Sequence, residues 1–173
     1  MSPTPADLVN AIELAGRAAT LERSLTLRQL PRLIEAGALE GTHADAELAF
    51  ETFEGRASVR MRVEGEVMLT CQRCLRPCAW NVAEDASLVV VTQDVEEVPG
   101  GFEPLLGDPE RLSLTELIEE QLLLGLPLVP RHANAASCGE ASTASRGDAD
   151  EPAAEDRQRP FANLRALLDE SDG

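Results

Sequence analysis

Three of the four cysteines of this 173-residue chain fall within the stretch LTCQRCLRPC, residues 69–78. Cys71 and Cys74 form a C-x-x-C pair, in which two intervening residues bring both sulfurs within reach of one tetrahedral ion. The pair reads as half of a ribbon-type zinc site. The other half needs two more ligands, and RHANAASC downstream offers His132 and Cys138. Cys78 is a nearer thiol and a candidate substitute. Two other readings stand beside zinc. A redox pair needs a helix N-terminus to lower its thiol pKa, whereas here a strand is expected within a few residues and Pro77 intervenes. In the third reading the thiols are free and reduced, some of them buried as small hydrophobes. No Ser-His-Asp or Cys-His arrangement for acyl transfer is legible. VPGGFEP lacks the lysine and the strand-loop-helix setting of a phosphate loop. The expectation is a protein that is not an enzyme. A thiol-based redox or zinc-dependent protein using Cys71 and Cys74 is the competing reading.

Charge narrows the class of partner. The formal net charge is -16, and all fifteen basic residues are arginine. Residues 1–80 hold 11 acids and 9 arginines, residues 81–130 hold 11 and 1, and residues 131–173 hold 9 and 5. A protein that grips nucleic acid by its phosphates is expected to show a basic face. The local basic cluster here is Arg56, Arg60, Arg62, Arg73 and Arg76, beside the cysteines. Arg73 and Arg76 are the candidate contacts to RNA or a partner; a solvated strand face is the plainer reading of the cluster. The opening MSPTPADLVN has neither a basic n-region nor a long apolar run, so no secretory leader is expected. No run reaches the roughly 18 apolar residues of a membrane span. A cytoplasmic setting, where thiols stay reduced, follows.

The elements that must position these residues are α+β. SVRMRVEGEVMLT alternates strictly, with Val59, Met61, Val63, Gly65, Val67 and Leu69 on one face and Arg60, Arg62, Glu64 and Glu66 on the other. WNVAEDASLVVVTQ gives a second strand, so the C-x-x-C pair sits at the tip of a β-hairpin, with CLRP as its turn. SLTELIEEQLLLGL is the clearest helix; Ser113 and Glu116 form a capping box, and apolar residues on more than one face bury it. TLRQLPRLIEAGAL predicts a shorter N-terminal helix capped by Thr26, with Pro31 near its first turn. ELAFETF alternates weakly, Ala6–Arg23 is ambiguous between helix and strand, and EEVPGGFEPLLGDPERLS reads as loop. Residues 1–132 are therefore one α+β domain: an antiparallel sheet with a C-x-x-C-tipped hairpin packed on one long buried helix. Residues 133–158 hold no large apolar residue and read as a disordered acidic linker. Residues 159–170, RPFANLRALLDE, read as a short amphipathic docking helix with Phe161 and Leu164 on its apolar face.

Several of these segments together resemble the YceD family of large ribosomal RNA subunit accumulation proteins: VEGEVMLTCQRCLRP, LTELIEEQLLLGLPLVPRH, the single cysteine of NAASC and the terminal RPFANLRALL. The resemblance runs from about residue 45 to the C-terminus. It implies a non-enzymatic role in synthesis, processing or stability of the large-subunit (23S) ribosomal RNA, and carries over no catalytic residues. The cysteines that match its pattern are Cys71, Cys74 and Cys138. Cys78 stands where relatives often have an apolar residue, and Arg159 where they often have asparagine. The acidic charge suits basic ribosomal or RNA-processing proteins as partners, with contact to ribosomal RNA indirect or weak and no membrane.

Overall fold

A computed structural model describes residues 7–93, 98 and 100–138. The segment 139–158 and the expected docking helix, with Phe161 and Leu164, lie outside the described residues. The compact unit runs to Cys138. It thus takes in six residues of the segment read as linker, because a short 3-10 turn at Ala135–Cys138 folds back and buries Cys138.

The elements in chain order are β1 (Leu8–Val9), α1 (Ala11–Gly16), β2 (Thr20–Thr26), α2 (Pro31–Glu35), β3 (His43–Phe53), β4 (Arg56–Thr70), β5 (Pro77–Val91), β6 (Glu103–Leu106), β7 (Leu112–Ser113) and α3 (Leu114–Leu124). Five strands form one sheet in the order β2-β3-β4-β5-β6, and β1 pairs with β7. The pairings from β2 to β5 are antiparallel, whereas β5 and β6 run parallel. The period-2 pattern of β4 decides its orientation. Val59, Met61, Val63, Val67 and Leu69 are buried, facing Phe50, Leu48 and Ala46 across the β3 pairing and Leu88 and Cys78 across the β5 pairing.

Two expectations are corrected. The stretch from Thr26 to Leu39 is not one helix but a 3-10 turn at Leu27–Gln29 followed by α2. Leu30 between them has non-helical angles, φ -118 and ψ 73, because the residue before a proline is pushed out of the α region. The Pro/Gly-rich stretch read as loop also contains β6 and β7. The short sequence EPLL shows no alternation; it joins the sheet through its backbone, beside the apolar end of β5.

Helix α3 is tied to distant parts of the chain by two carboxylates, Asp7 at its start and its own Glu119. The Asp7 carboxylate accepts hydrogen bonds from the Thr115 backbone N–H at 3.0 Å and from the hydroxyls of Ser113 and Thr115 at 2.6 Å each. It adds to the cap that Ser113 itself provides, whose Oγ accepts from the Glu116 N–H at 3.3 Å. In the other direction, Glu119 of α3 is fully buried and accepts from the Leu33 N–H at 3.0 Å. Leu30 has no side-chain oxygen to cap α2, so α3 satisfies an N–H in the first turn of that helix.

Helix α3 approaches the sheet through two glycines. Gly65 of β4 pairs with Val82 of β5. A Cβ on Gly65 would lie 2.9 Å from the His43 carbonyl, 3.1 Å from Ala44 Cβ and 3.2 Å from Leu122. A Cβ on Gly125, at the end of α3, would lie 2.5 Å from Val82. The missing side chains let helix and sheet come together at this rung. The Trp80 indole N–H then donates to the Gly125 carbonyl at 3.0 Å, fixing where the chain leaves the helix.

Candidate metal centre

The hairpin of β4 and β5 ends in the cysteine loop. The Cys71 N–H donates to the Arg76 carbonyl at 2.9 Å, and the Leu75 N–H donates to the Cys71 carbonyl at 2.8 Å. Leu75 takes φ +58, the left-handed region that residues with a Cβ seldom occupy. The loop is therefore tight enough to bring Cys71 and Cys74 to the same side. After α3, the chain returns to this tip. The Gln72 N–H donates to the Pro130 carbonyl at 2.8 Å, docking the post-helix segment. Asn134 then starts the 3-10 turn, accepting from Ala136 N–H at its side chain and from Ser137 N–H at its carbonyl. That turn closes the five-residue gap between His132 and Cys138.

Four ligand-type side chains meet as a result. One donor atom each from Cys71, Cys74, His132 and Cys138 lies within 4.8 Å of the other three. Cys71 Sγ and Cys138 Sγ are 3.9 Å apart. His132 Nδ1 lies 3.6 Å from Cys74 Sγ and 3.5 Å from Cys138 Sγ. A zinc ion with bonds of about 2.3 Å to sulfur and about 2.0 Å to nitrogen would set tetrahedral edges of about 3.8 Å for S–S and about 3.5 Å for S–N. The observed separations fit those edges. The tautomer fits too: His132 Nε2 lies 3.1 Å from the Pro77 carbonyl, so it carries the proton and leaves the Nδ1 lone pair facing the sulfurs. Metal-bound histidines are oriented by this kind of outer hydrogen bond.

Burial pushes the Cys71 thiol up, but backbone N–H groups of Arg73, His132 and Cys74, with the His132 side chain, outweigh it and bring its pKa down to about 5. Burial pushes Cys138 up, reinforced by Cys74 and Cys71. Burial also raises Cys78, and the charges of Cys71 and Cys74 add to that. Cys78 is buried on β5 and stands outside the group of four. The set thus holds Cys71 poised as a thiolate beside Cys138, whose thiol is held in the protonated form until a cation enters. In chelator-treated protein, ultraviolet thiolate absorbance is expected to show one early step near pH 5. Because this folded pKa lies below the unfolded value of about 8.5, the stabilisation is fully present above about pH 8.5 and lost as pH falls through about 5. A first thiolate step no lower than that of an ordinary thiol would contradict the assignment.

The residues expected at an RNA or partner contact divide. Arg73 and Arg76 both reach Cys138: an Arg73 guanidinium N–H lies 3.8 Å from its Sγ, and Arg76 Nη2 donates to its carbonyl. Neither the Pro77 carbonyl nor the Asp7 cap has a sequence signal, since the first is backbone and the second acts across more than a hundred residues.

The outward face of the sheet has a different character. Glu22, Asp45, Glu47, Glu51, Glu64 and Asp85 are exposed there. Arg60 and Arg62 there are already paired, Arg60 with Glu51 at 3.1 Å and Arg62 with Glu64 at 2.7 Å. Glu22 lies directly opposite Glu47, and Asp45 opposite Glu64. Like charges so placed cost stability.

The fold and the site together define a small α+β protein whose hairpin tip carries a Cys3His cluster suited to a metal ion. The chain belongs to the YceD family: the family model described as Large ribosomal RNA subunit accumulation protein YceD matches residues 59–168. That span takes in β4 from Val59 onward, β5, α3 and all four members of the cluster. No solved structure matches the chain. Among the described residues, no helix is long and apolar enough to cross a membrane.

Proposed function

We propose that this chain is a non-enzymatic factor in the accumulation of large-subunit (23S) ribosomal RNA, built around a structural zinc site and acting through basic protein partners. The family description supports the RNA connection. The observation that carries the structural reading is the convergence of Cys71, Cys74, His132 and Cys138 on one point. A zinc ion held by these four has every tetrahedral position filled by protein. Catalytic zinc keeps one position open for water or substrate, so a closed set is structural. The ion would bind the post-helix segment to the hairpin tip: His132 and three thiolates would hold it, and no bond is made or broken. Redox use of Cys71 is less well supported, because its side chain is fully buried and β5, not a helix, follows the pair. The exposed carboxylates of the open sheet face support basic protein partners over direct grip on RNA phosphates.

The test joins cells and protein. Native mass spectrometry of the purified chain is expected to show about one zinc per molecule, removed by a strong chelator. Cells lacking the protein should show a lowered ratio of 23S to 16S RNA. An unchanged ratio would overturn the cellular role. Direct RNA binding that weakens steeply with salt would overturn the choice of protein partners.

A further inference from the structure

The cluster has a charge problem that its four ligands do not solve. Three thiolates and a neutral imidazole around a divalent ion leave a net charge of about -1, from +2 and three times -1. Two of the three thiols, Cys71 and Cys138, are fully buried. A buried excess charge is costly unless a counter-charge or hydrogen bonds meet it. The Arg73 guanidinium N–H lies 3.8 Å from Cys138 Sγ. Arg73 stands between the two cysteines of the loop, so the turn that sets the first half-site also aims this guanidinium at the second. Next to it, Arg76 donates to the Cys138 carbonyl, and the Arg76 carbonyl accepts from the Cys71 N–H. Arg76 therefore touches both halves of the site.

We propose that Arg73 is the counter-charge of the metal centre, donating to the Cys138 thiolate, and that Arg76 is the latch that holds the Cys138 segment on the hairpin tip. This rests on the reading of the four residues as a metal site. Both are positioning residues: neither touches the ion. Each guanidinium gives one nitrogen to the Cys138 segment while its residue stays exposed. The role also accounts for arginine at position 73, since a planar fork can give one N–H to sulfur while the rest of the group stays in water.

Cobalt(II) titration of the chelated full chain tests it, because tetrahedral thiolate–cobalt centres are coloured. Wild type is expected to bind with a thiolate-to-cobalt charge-transfer band. Arg73→Met should weaken cobalt about tenfold or more, the lower range for lost outer-shell partners. It should also move the charge-transfer band to lower energy, since a thiolate without its N–H donor gives up electrons more readily. Arg73→Lys, which keeps the charge, should recover part of both; it also serves as the second variant if the methionine change disturbs folding. Arg76→Met should speed cobalt loss to a chelator with little movement of the band. The exposed Arg28→Met is the control and should match wild type. Wild type that binds no cobalt would overturn the metal reading itself. Wild-type affinity and spectrum in Arg73→Met, with normal cobalt uptake, would overturn this inference alone.

Discussion

Replacing Cys74 with serine is expected to abolish tight zinc binding and release residues 131–138 without unfolding the sheet. Cys74 suits the test because it is only partly buried, unlike Cys71 and Cys138. The substitution removes a ligand and disturbs little packing. The ion in a small zinc finger supplies most of the folding energy, and such domains unfold without it. Here the apolar core, which Cys71 and Cys138 join at one end, extends well beyond the cluster: Phe50, Leu48, Val59, Val63, Leu114, Ile118 and Leu122 are buried with no part in holding the ion. Metal loss should therefore be a local event. With free zinc a thousandfold above its dissociation constant, binding stabilises the native state by about 4 kcal/mol, so the melting temperature of the loaded wild type should exceed that of the variant by many degrees. Hydrogen exchange should rise sharply at 131–138 and stay slow in β3, β4 and the inner half of β5. Trp80, the single tryptophan, reports the change through its bond to the Gly125 carbonyl. A variant that retains zinc and melts with wild type would remove Cys74 from the site. Collapse of the whole sheet would instead make the metal part of the core.

The sequence made the inner strands legible because their burial is periodic. Val59 to Val67 alternates without a break, and the buried residues Val59, Met61, Val63 and Val67 follow that alternation. Ser113 announced the start of α3 by the same local logic, and its Oγ does cap the helix. The C-x-x-C pair at a hairpin tip was legible from two strands and a turn. His132 and Cys138 could be nominated by residue type, but only the fold brings them to the pair: α3 must end at Trp80 and the chain must return to Gln72. What stayed hidden has no periodic signature. Apolar spacing across Thr26–Leu39 cannot see that Leu30 is forced out of the helical region by Pro31. β6 is four residues including Pro104, and its parallel pairing with β5 depends on a long return of the chain. A carboxylate buried as deeply as Glu119 looks in sequence like any acid on a helix face. Its acceptor role exists only because α2 lies beneath it with an uncapped N–H.

The crossing of α3 over the sheet makes the second large prediction, and it concerns a pair. Leu122→Ala is expected to cost about 2–5 kcal/mol, since the side chain is fully buried and its removal leaves a cavity over β4. Gly65→Ala should cost about 1–3 kcal/mol, because the new methyl would press on Leu122 at 3.2 Å, Ala44 at 3.1 Å and the His43 carbonyl at 2.9 Å. The two defects are opposite in sign, one a space and the other an intruder into that space. The double variant should therefore be destabilised by less than the sum of the singles, with a coupling of about 0.5–3 kcal/mol in denaturant unfolding. Full rescue is not expected. The His43 carbonyl belongs to the β3 backbone, held by its pairing with β4, and cannot retreat from the methyl as a side chain can. Strict additivity would show that Leu122 does not rest on Gly65. The consequence reaches the hairpin tip, because α3 carries the segment that delivers His132 and Cys138. A helix lifted by the Gly65 methyl moves that segment away from Cys71 and Cys74. Gly65→Ala should therefore weaken zinc binding although no ligand has changed, and Leu122→Ala in the same chain should restore part of it.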